Sequence, residues 1–305
     1  MSHRRAIVII NRASGNQDGQ AKEDGIQTAF GAHGIAVDFV HIGRRTSVAA
    51  ATRKALGMGE GTICVAGGDG TISGVTSVMV SQNRPLGIIP QGTFNYFARS
   101  LGIPQEMGGA VDIIAAGHHQ DITVATINGH TFLNNASIGA YPAILKTREG
   151  IYRRWGRSRI AAYWSVIKAL IAFRTALDLR LEVDGEERQC RTPLVFAINN
   201  AFQLSQMGLG GHDCIAAGKM VLLVAPDTSR LGLLRHAAAL ALGIARPETD
   251  YEMLCGAEII IHMRRKKRSV ARDGEISTMA GPFRLANSAS PLKIFVPKAA
   301  VPETR

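Results

Sequence analysis

The sequence is poor in aromatic residues, cysteines and acidic residues, and each shortage excludes a class of protein. Aromatic side chains make up 6% of the 305 residues, which argues against a protein that stacks on nucleic-acid bases. The four cysteines are widely spaced and form no Cys-x-x-Cys pair, so we expect reduced thiols rather than disulfides or a zinc site. The two longest apolar stretches, 161–177 and 231–245, are interrupted by charged residues, so the sequence predicts no transmembrane segment.

The shortage of acidic residues leaves a net charge of +11, from 35 Lys and Arg against 24 Asp and Glu. Such a balance favours anionic partners, namely a nucleotide, a nucleic acid or an acidic membrane surface. Basic residues concentrate at 146–159 and in the run 264–268. Each cluster is either a binding surface for an anionic partner or simply a solvated face. Tyr152 and Trp155 lie among the arginines of the first cluster, a mixture typical of interfacial anchoring and also of nucleic-acid stacking. The apolar run near the start is too short for a signal peptide, so we expect a cytoplasmic protein.

The first 125 residues alternate apolar runs with segments of helical periodicity. Strands are predicted at 6–10, 36–41, 62–66 and 86–89, and helices near 19–32, 47–56, 71–80, 94–101 and 105–116. This alternation predicts an α/β nucleotide-binding domain over 1–125, with a parallel sheet and crossover helices. Ligands of such sheets bind at the carboxyl ends of the strands.

Residues 126–287 are richer in strand patterns and predict a second, mostly antiparallel β-rich domain. Strands are expected at 122–127, 131–138, 177–183, 193–198, 220–224, 258–263 and 283–285, with helices near 159–173 and 229–243. The first two strands are predicted to form a hairpin through Asn128-Gly129. The run 292–296, within 288–305, is compatible with a return to the first domain, which periodicity alone does not decide.

Gly67-Gly68-Asp69-Gly70-Thr71 stands directly between a predicted strand and a helical segment. Glycines there leave backbone N–H groups and the positive end of the helix open to an anionic group, which predicts phosphate binding. The spacing is neither that of the P-loop nor that of the dinucleotide fingerprint. A carboxylate beside phosphate is repulsive unless a metal ion bridges them, so Asp69 indicates Mg²⁺ with a nucleotide. A simple Asp-Gly turn is the alternative.

Two further loops follow predicted strands at the same edge. The first contains small polar residues and a glycine that suit a nucleotide: Asn11, Arg12, Ser14 and Gly15. In the second, Gly92 and Thr93 form a turn and Asn95 opens a helix, which offers donors to phosphate or ribose, although Asn95 is more often a helix cap. Because all three loops occupy carboxyl ends of strands, we expect them to form one site.

Asp273-Gly274-Glu275 supplies a pair of carboxylates late in the chain. In an extended segment, residues two apart share a face, so both carboxylates are predicted to point into one cleft. One would accept a proton and the other would orient it or approach the metal. The same tripeptide at Asp184-Gly185-Glu186 has the pattern of a hairpin turn, so we expect one of the two copies to be structural.

Taken in order, these segments resemble the diacylglycerol kinase catalytic-domain family, particularly its bacterial soluble lipid kinases. Those proteins are similar to sphingosine kinases and, more distantly, to NAD kinases and phosphofructokinases. The resemblance covers nearly the whole chain and includes 92–104 and 132–139. It implies a kinase that uses ATP and Mg²⁺, with 67–71 and Thr93 on ATP and Asp69 in the metal network. It also implies that 126–287 is the lipid-substrate domain and that Glu275 or Asp273 accepts the proton of a lipid hydroxyl.

The chain departs from the family pattern at two places. Tyr96 stands where an aspartate commonly follows the asparagine of the third loop, and Ala217-Gly218 stands where an aspartate-glycine pair is linked to a second Mg²⁺. The resemblance implies a lipid substrate reached by peripheral association with an anionic membrane surface, and no nucleic-acid partner. The alternatives are a kinase of a soluble acceptor, as NAD kinase is, and a catalytically impaired nucleotide-binding or anionic-surface-binding protein.

Overall fold

The computed structural model describes residues 5–11, 19–43, 45–80, 82–143, 145, 176–241, 244–247 and 249–298. The chain divides into an N-terminal unit, Met1–Val124 with Ala289–Arg305, and a β-rich unit, Ala125–Ser288. The basic cluster 146–159 and the helix predicted near 159–173 lie outside the described residues, as do Arg12, Ser14 and Gly15.

The described residues form helices and strands with the following bounds. The helices are α1 Gly19–Gly31, α2 Val48–Leu56, α3 Asp69–Met79, α4 Tyr96–Ser100, α5 Met107–Ala116, α6 Ala201–Gln206, α7 His212–Ala216 and α8 Arg230–Ala241. The strands are β1 Arg5–Ile10, β2 Ala36–His41, β3 Thr62–Gly67, β4 Leu86–Pro90, β5 His119–Ile122, β6 Ala125–Ile127, β7 His130–Phe132, β8 Asn135–Gly139, β9 Leu177–Val183, β10 Glu186–Thr192, β11 Leu194–Ile198, β12 Met220–Val224, β13 Glu252–Gly256, β14 Glu258–Met263, β15 Lys267–Arg272, β16 Glu275–Ala280, β17 Phe283–Asn287 and β18 Leu292–Phe295. Within the described part of the chain, none of the helices has the length and hydropathy of a membrane span.

The N-terminal unit is built on one sheet in the order β2-β1-β3-β4-β18-β5. Its strands run parallel except β5, which pairs antiparallel with β18. β1, β3 and β4 are buried almost throughout, as expected of continuous apolar runs that are covered on both faces of a parallel sheet. The predicted α/β class is confirmed, and the run at 292–296 does return to this sheet as β18.

The β-rich unit contains two antiparallel six-stranded sheets, β10-β9-β14-β17-β6-β7 and β13-β12-β11-β8-β15-β16. Apolar side chains of both sheets share one core, in which Phe132 and Phe283 are fully buried. β9 alternates buried and exposed residues, which is the period of a strand with one face on a core. The predicted β-rich character is therefore confirmed.

Two predicted strands of this region are wrong in extent. The run 122–127 splits into β5, which belongs to the N-terminal sheet, and β6, which pairs with β17. The run 131–138 splits into β7 and β8, which lie in different sheets. The chain leaves the ladder between them because the N–H groups of Leu133 and Asn134 donate to the Asp273 carboxylate, at 2.8 Å each. The predicted turn at Asn128-Gly129 is present, with positive φ at both residues.

Several elements carry no clear sequence signal. β10, with the sequence EERQCRT, is polar and lies at a sheet edge, where no apolar alternation is required. β15 begins within the basic run 264–268, which has no apolar alternation to indicate a strand. The helices α6 and α7 are too short to show a helical period of apolar residues. Short or edge elements are specified by tertiary pairing rather than by a local pattern.

The expectation of reduced thiols is wrong for two of the four cysteines. Cys214 in α7 and Cys255 in β13 form a disulfide, with 5.9 Å between their Cα atoms and 41 residues of separation. They meet because α7 packs on β12, which pairs with β13. Cys64 and Cys190 are free, and burial raises the pKa of the Cys64 thiol far above its usual range.

Candidate functional site

The turn between β3 and α3 brings bare backbone to the beginning of a helix. Gly68 is the N-cap in an extended conformation, so it offers no side chain to the first N–H groups of α3. A Cβ at Gly67 would lie 2.7 Å from the Cβ of Thr71, so a larger residue there requires the helix to shift. Because the open N–H groups coincide with the positive end of the helix dipole, the turn suits a phosphate.

The loop after β4 packs directly on this turn. The backbone N–H of Gln91 donates to the carbonyl of Gly67 at 2.9 Å. A Cβ added at Gly92 would lie 2.7 Å from the Cα of Gly68, and one added at Gly68 would lie 3.1 Å from the Cα of Gly92. The two glycine loops predicted from the sequence therefore make a single backbone surface.

Asn95 shapes the loop rather than capping a helix with its side chain. It takes a left-handed conformation, with φ of 49°, at the start of α4. Its Oδ1 accepts from the Gly92 N–H at 2.9 Å, and its Nδ2 donates to the Gly92 carbonyl and to Oε1 of Gln105, each at 3.0 Å. The amide is buried and its donors are used, so Asn95 positions the loop while Thr93 lies exposed beside it.

The end of β1 joins the same group of loops. The Asn11 N–H donates to the carbonyl of Ala66 at 3.3 Å, and its Nδ2 donates to Oγ1 of Thr71 at 3.4 Å. Thr71 belongs to the first turn of α3. The structure thus brings one residue from each of the three predicted loops to the carboxyl ends of β1, β3 and β4.

Asp69 lies between two helix beginnings. It is the first residue of α3, and its Oδ1 accepts from the N–H of Phe97 in α4 at 3.4 Å. The negative charge of Asp69, together with burial as the larger cause, raises the pKa of Tyr96. The tyrosine therefore remains a neutral phenol beside this carboxylate.

Sequence reasoning missed two features of these loops. The Phe94 ring is 62% exposed and stacks on the Tyr96 ring, with centroids 5.5 Å apart and planes 2° from parallel. Gln91 places both polar atoms of its amide out of contact with solvent, and neither has a hydrogen-bond partner in the described residues. The sequence did contain one indication that Gln91 has a special role. A long polar side chain stands there between a buried strand and a glycine turn.

Asp273 begins a two-residue hairpin turn between β15 and β16, and the expectation of an extended segment is wrong. Its φ is 45° and that of Gly274 is 86°, the left-handed pair of a tight turn. Oδ2 accepts from the N–H of Leu133 at 2.8 Å, and Oδ1 accepts from those of Asn134 at 2.8 Å and Asn135 at 3.2 Å. Both oxygens are thus occupied by the backbone that leads into β8.

In the earlier copy of the tripeptide, the aspartate also begins a hairpin turn and accepts backbone N–H groups. Asp184 has φ of 49°, and its Oδ1 accepts from the N–H groups of Ala257 at 2.8 Å and Glu258 at 2.9 Å. These bonds and the ion pair with Lys219 lower the pKa of the Asp184 carboxyl, the Glu258 N–H being the largest cause. Both aspartates are therefore structural, where the sequence led us to expect only one structural copy.

Glu275 differs from Asp273 in its surroundings. It is the exposed first residue of β16 and pairs across the ladder with Arg272. Burial lowers the pKa of Arg272, and the negative charges of Asp273 and Glu275 oppose that shift. Arg272 also donates from Nη1 to the carbonyl of Thr131 at 2.9 Å, which holds the base of the hairpin against β7.

Among the described residues, no three His, Cys, Asp or Glu side chains cluster as a ready-made metal cage. Asp69 is the carboxylate at the glycine loops. Mg²⁺ in phosphate sites is commonly held by one or two carboxylates, with phosphate oxygens and waters completing its shell. The residues present fit an ion that arrives with a nucleotide.

Residues 5–127 match the family model described as the diacylglycerol kinase catalytic domain. A curated relative named diacylglycerol kinase, from Staphylococcus aureus (strain JH9), is 34% identical over 143 residues, which cover 44% of this chain and 42% of the relative. The protein of the same name from strain Newman matches to the same extent. The chain therefore matches less than half the length of these curated relatives.

Solved structures share the fold at low sequence identity. A crystal structure named as that of a diacylglycerol kinase from Bacillus anthracis str. Sterne gives a TM-score of 0.68 at 20% identity, covering 99% of this chain and 100% of that chain. A second crystal structure from the same organism gives 0.72 at 19% identity, with the same coverage. At such identity the likeness establishes the fold alone.

The carboxylate contacts of the two hairpins predict a stability effect. In Asp273→Asn, an amide NH₂ replaces one oxygen that accepts backbone N–H groups, so this variant is expected to lose about 1–3 kcal/mol of unfolding free energy. In Asp184→Asn, Oδ1 can keep both backbone bonds and only the oxygen that accepts from Lys219 is replaced, so a smaller loss is expected. Urea unfolding measures it. Asp178→Asn is the control, because the Asp178 side chain is 88% exposed. Unchanged stability of Asp273→Asn would contradict the structural role of this carboxylate.

Proposed function

We propose that the chain is an ATP-dependent lipid kinase, on the premise that residues 5–127 match the diacylglycerol kinase catalytic domain model. It would transfer the γ-phosphoryl group to a hydroxyl of diacylglycerol or a related lipid. The observation that carries the proposal is the backbone contact between Gly68 and Gly92 at the beginning of α3. This surface has the donors and the electrostatic sign that a triphosphate requires.

The N-terminal unit would hold the nucleotide through its backbone. Gly67, Gly68 and Gly70 let phosphate oxygens approach the first N–H groups of α3, and Thr93 offers a hydroxyl from the neighbouring loop. Asn11 and Asn95 keep the loops in register through the hydrogen bonds described above. Arg12, Ser14 and Gly15, outside the described residues, stay proposed contacts of the same ligand.

Asp69 would hold Mg²⁺ together with the phosphates. When bound, Mg²⁺ neutralises charge on the transferring group and orients it. Asp69 suits this role because it begins α3, and since the neutral Tyr96 beside it adds no carboxylate, phosphate oxygens and waters would complete the shell of the ion. Ala217, which caps the end of α7, offers no carboxylate for a second ion.

Glu275 is our candidate for the base that accepts the proton of the lipid hydroxyl. The choice over Asp273 is supported by hydrogen bonding, because both Asp273 oxygens accept backbone N–H groups. Glu275 is exposed and is fixed at the start of β16 by the hairpin that Asp273 holds. Asp273 is then a positioning residue for Glu275.

Transfer from labelled ATP tests the proposed reaction. The protein is incubated with a total lipid extract in one arm and with NAD in another, and products are identified by mass. We expect label in a lipid that has gained one phosphoryl group. Label only in NAD would replace the lipid acceptor with a soluble one, and no transfer to either acceptor would contradict kinase activity.

Substitution of the proposed base separates turnover from binding. Glu275→Gln is expected to lower turnover about 10²- to 10⁴-fold, since a positioned base contributes a factor of that size, and to leave the Kd for ATP unchanged. Glu186→Gln, at the same position of the other Asp-Gly-Glu hairpin, is the matched control and should retain turnover. Wild-type turnover in Glu275→Gln would remove Glu275 from the base role.

We also propose that the enzyme reaches its substrate by peripheral binding to an anionic membrane surface. The turn between β14 and β15, together with the first residue of β15, carries four consecutive exposed cations, Arg264, Arg265, Lys266 and Lys267. A lysine or arginine near an anionic leaflet contributes about 1 kcal/mol of attraction, so a turn of this kind supplies a useful share of the binding free energy.

Vesicle binding tests this surface. We expect the protein to sediment with vesicles containing phosphatidylglycerol at low salt, and much less with neutral phosphatidylcholine vesicles or at high salt. Arg265→Glu with Lys266→Glu should weaken binding. Arg53→Glu with Lys54→Glu, an exposed pair in α2, makes the same change in net charge as a control. Equal loss in both double variants would assign the binding to net charge rather than to this turn.

A further inference from the structure

Gln91 is a buried amide whose hydrogen-bonding capacity is unused within the described part of the chain. Its Nε2 and Oε1 are both shielded from solvent, and neither has a partner among those residues. A primary amide carries two N–H donors and a carbonyl acceptor. Burying such a group without partners is unfavourable, so folded proteins retain one where a water or a ligand completes its bonds.

The position of Gln91 identifies which ligand this is. Its backbone N–H donates to the Gly67 carbonyl at 2.9 Å, so the residue is fixed against the turn before α3. The next residue, Gly92, makes the close backbone contact with Gly68. The backbone of Gln91 therefore lies at the junction of the two loops that we propose for phosphate.

The neighbouring amide of Asn95 provides an internal comparison. Both donors and the acceptor of Asn95 are used, by the Gly92 backbone and by Gln105. The Asn95 side chain therefore makes the hydrogen bonds that hold the loop in its conformation. Gln91 adds a second buried side-chain amide to the same loop. This side chain makes no hydrogen bond to the described residues of the loop.

We infer that the Gln91 side chain is a phosphate-binding group of this site, which turns out of its shielded position when a nucleotide binds, so that Nε2 donates to an oxygen of the phosphate chain. The inference rests on the proposed function, since it requires a bound nucleotide. A neutral amide donates to a phosphate oxygen and, unlike a carboxylate, does not repel it. Gln91 thereby complements the backbone N–H groups of α3 from the side of β4.

Replacing the amide by an apolar group of similar size tests this role. For Gln91→Leu we expect ATP and ADP to bind about 10-fold more weakly or worse by calorimetry, with adenosine binding unchanged. The melting temperature of the ligand-free variant should rise, because two buried polar atoms without partners are removed. Gln91→Met repeats the test with an unbranched side chain in case leucine packs poorly.

Thr76→Val is the matched control. Thr76 is fully buried in α3, its Oγ1 also has no partner among the described residues, and it lies about 10 Å along the helix from Asp69. This variant should raise the melting temperature and leave ATP binding unchanged.

The outcomes separate the inference from the function on which it rests. If the wild-type protein binds no adenine nucleotide, the proposed function fails and this inference fails with it. If the wild type binds ATP and both Gln91 variants bind it equally well, the inference alone is overturned. A fall in the ligand-free melting temperature of both variants, with ATP binding retained, would make Gln91 a structural residue.

Discussion

The backbone contact between Gly68 and Gly92 is the constraint on which the candidate site depends. A Cβ on either glycine would lie 3.1 Å or less from the Cα of the other, so two peptide turns meet where side chains would hold them apart. The contact exists because β3 and β4 are neighbours in a parallel sheet and end at the same edge. It leaves main-chain donors, rather than flexible side chains, at the beginning of α3.

The β-rich unit repeats one turn device at several places. Its Asx-Gly hairpins begin at Asn128, Asp184 and Asp273, each with φ between 45° and 49°. In each, the side-chain oxygen accepts backbone N–H groups from a further strand or from the segment before one, and so closes the hairpin against it. The Asp-Gly-Glu tripeptide is therefore first a folding element, and Glu275 of the later copy is the residue that we propose for chemistry.

The charge of the glycine loops depends on the tyrosine at position 96, where the family pattern commonly has an aspartate. Tyr96 stands where a second carboxylate would face Asp69, and its raised pKa keeps the phenol neutral. A site with one fewer negative charge repels phosphate less and also binds a divalent ion with fewer protein ligands. A nucleotide site of the kind we propose would therefore rely more on neutral hydrogen-bond donors, such as the amide of Gln91.

The sequence by itself determined the α/β alternation, the positions of the glycine loops and the location of the turns, because these follow from local periodicity and from residues that alone tolerate left-handed backbone. It did not determine that β5 leaves its predicted hairpin, that Cys214 reaches Cys255, or that Asp273 binds the backbone before β8. Those facts depend on pairings between residues up to 176 positions apart, the separation of His119 in β5 from Phe295 in β18. Only the tertiary structure decided them, since a local pattern states what a segment can form and not which distant partner satisfies its hydrogen bonds.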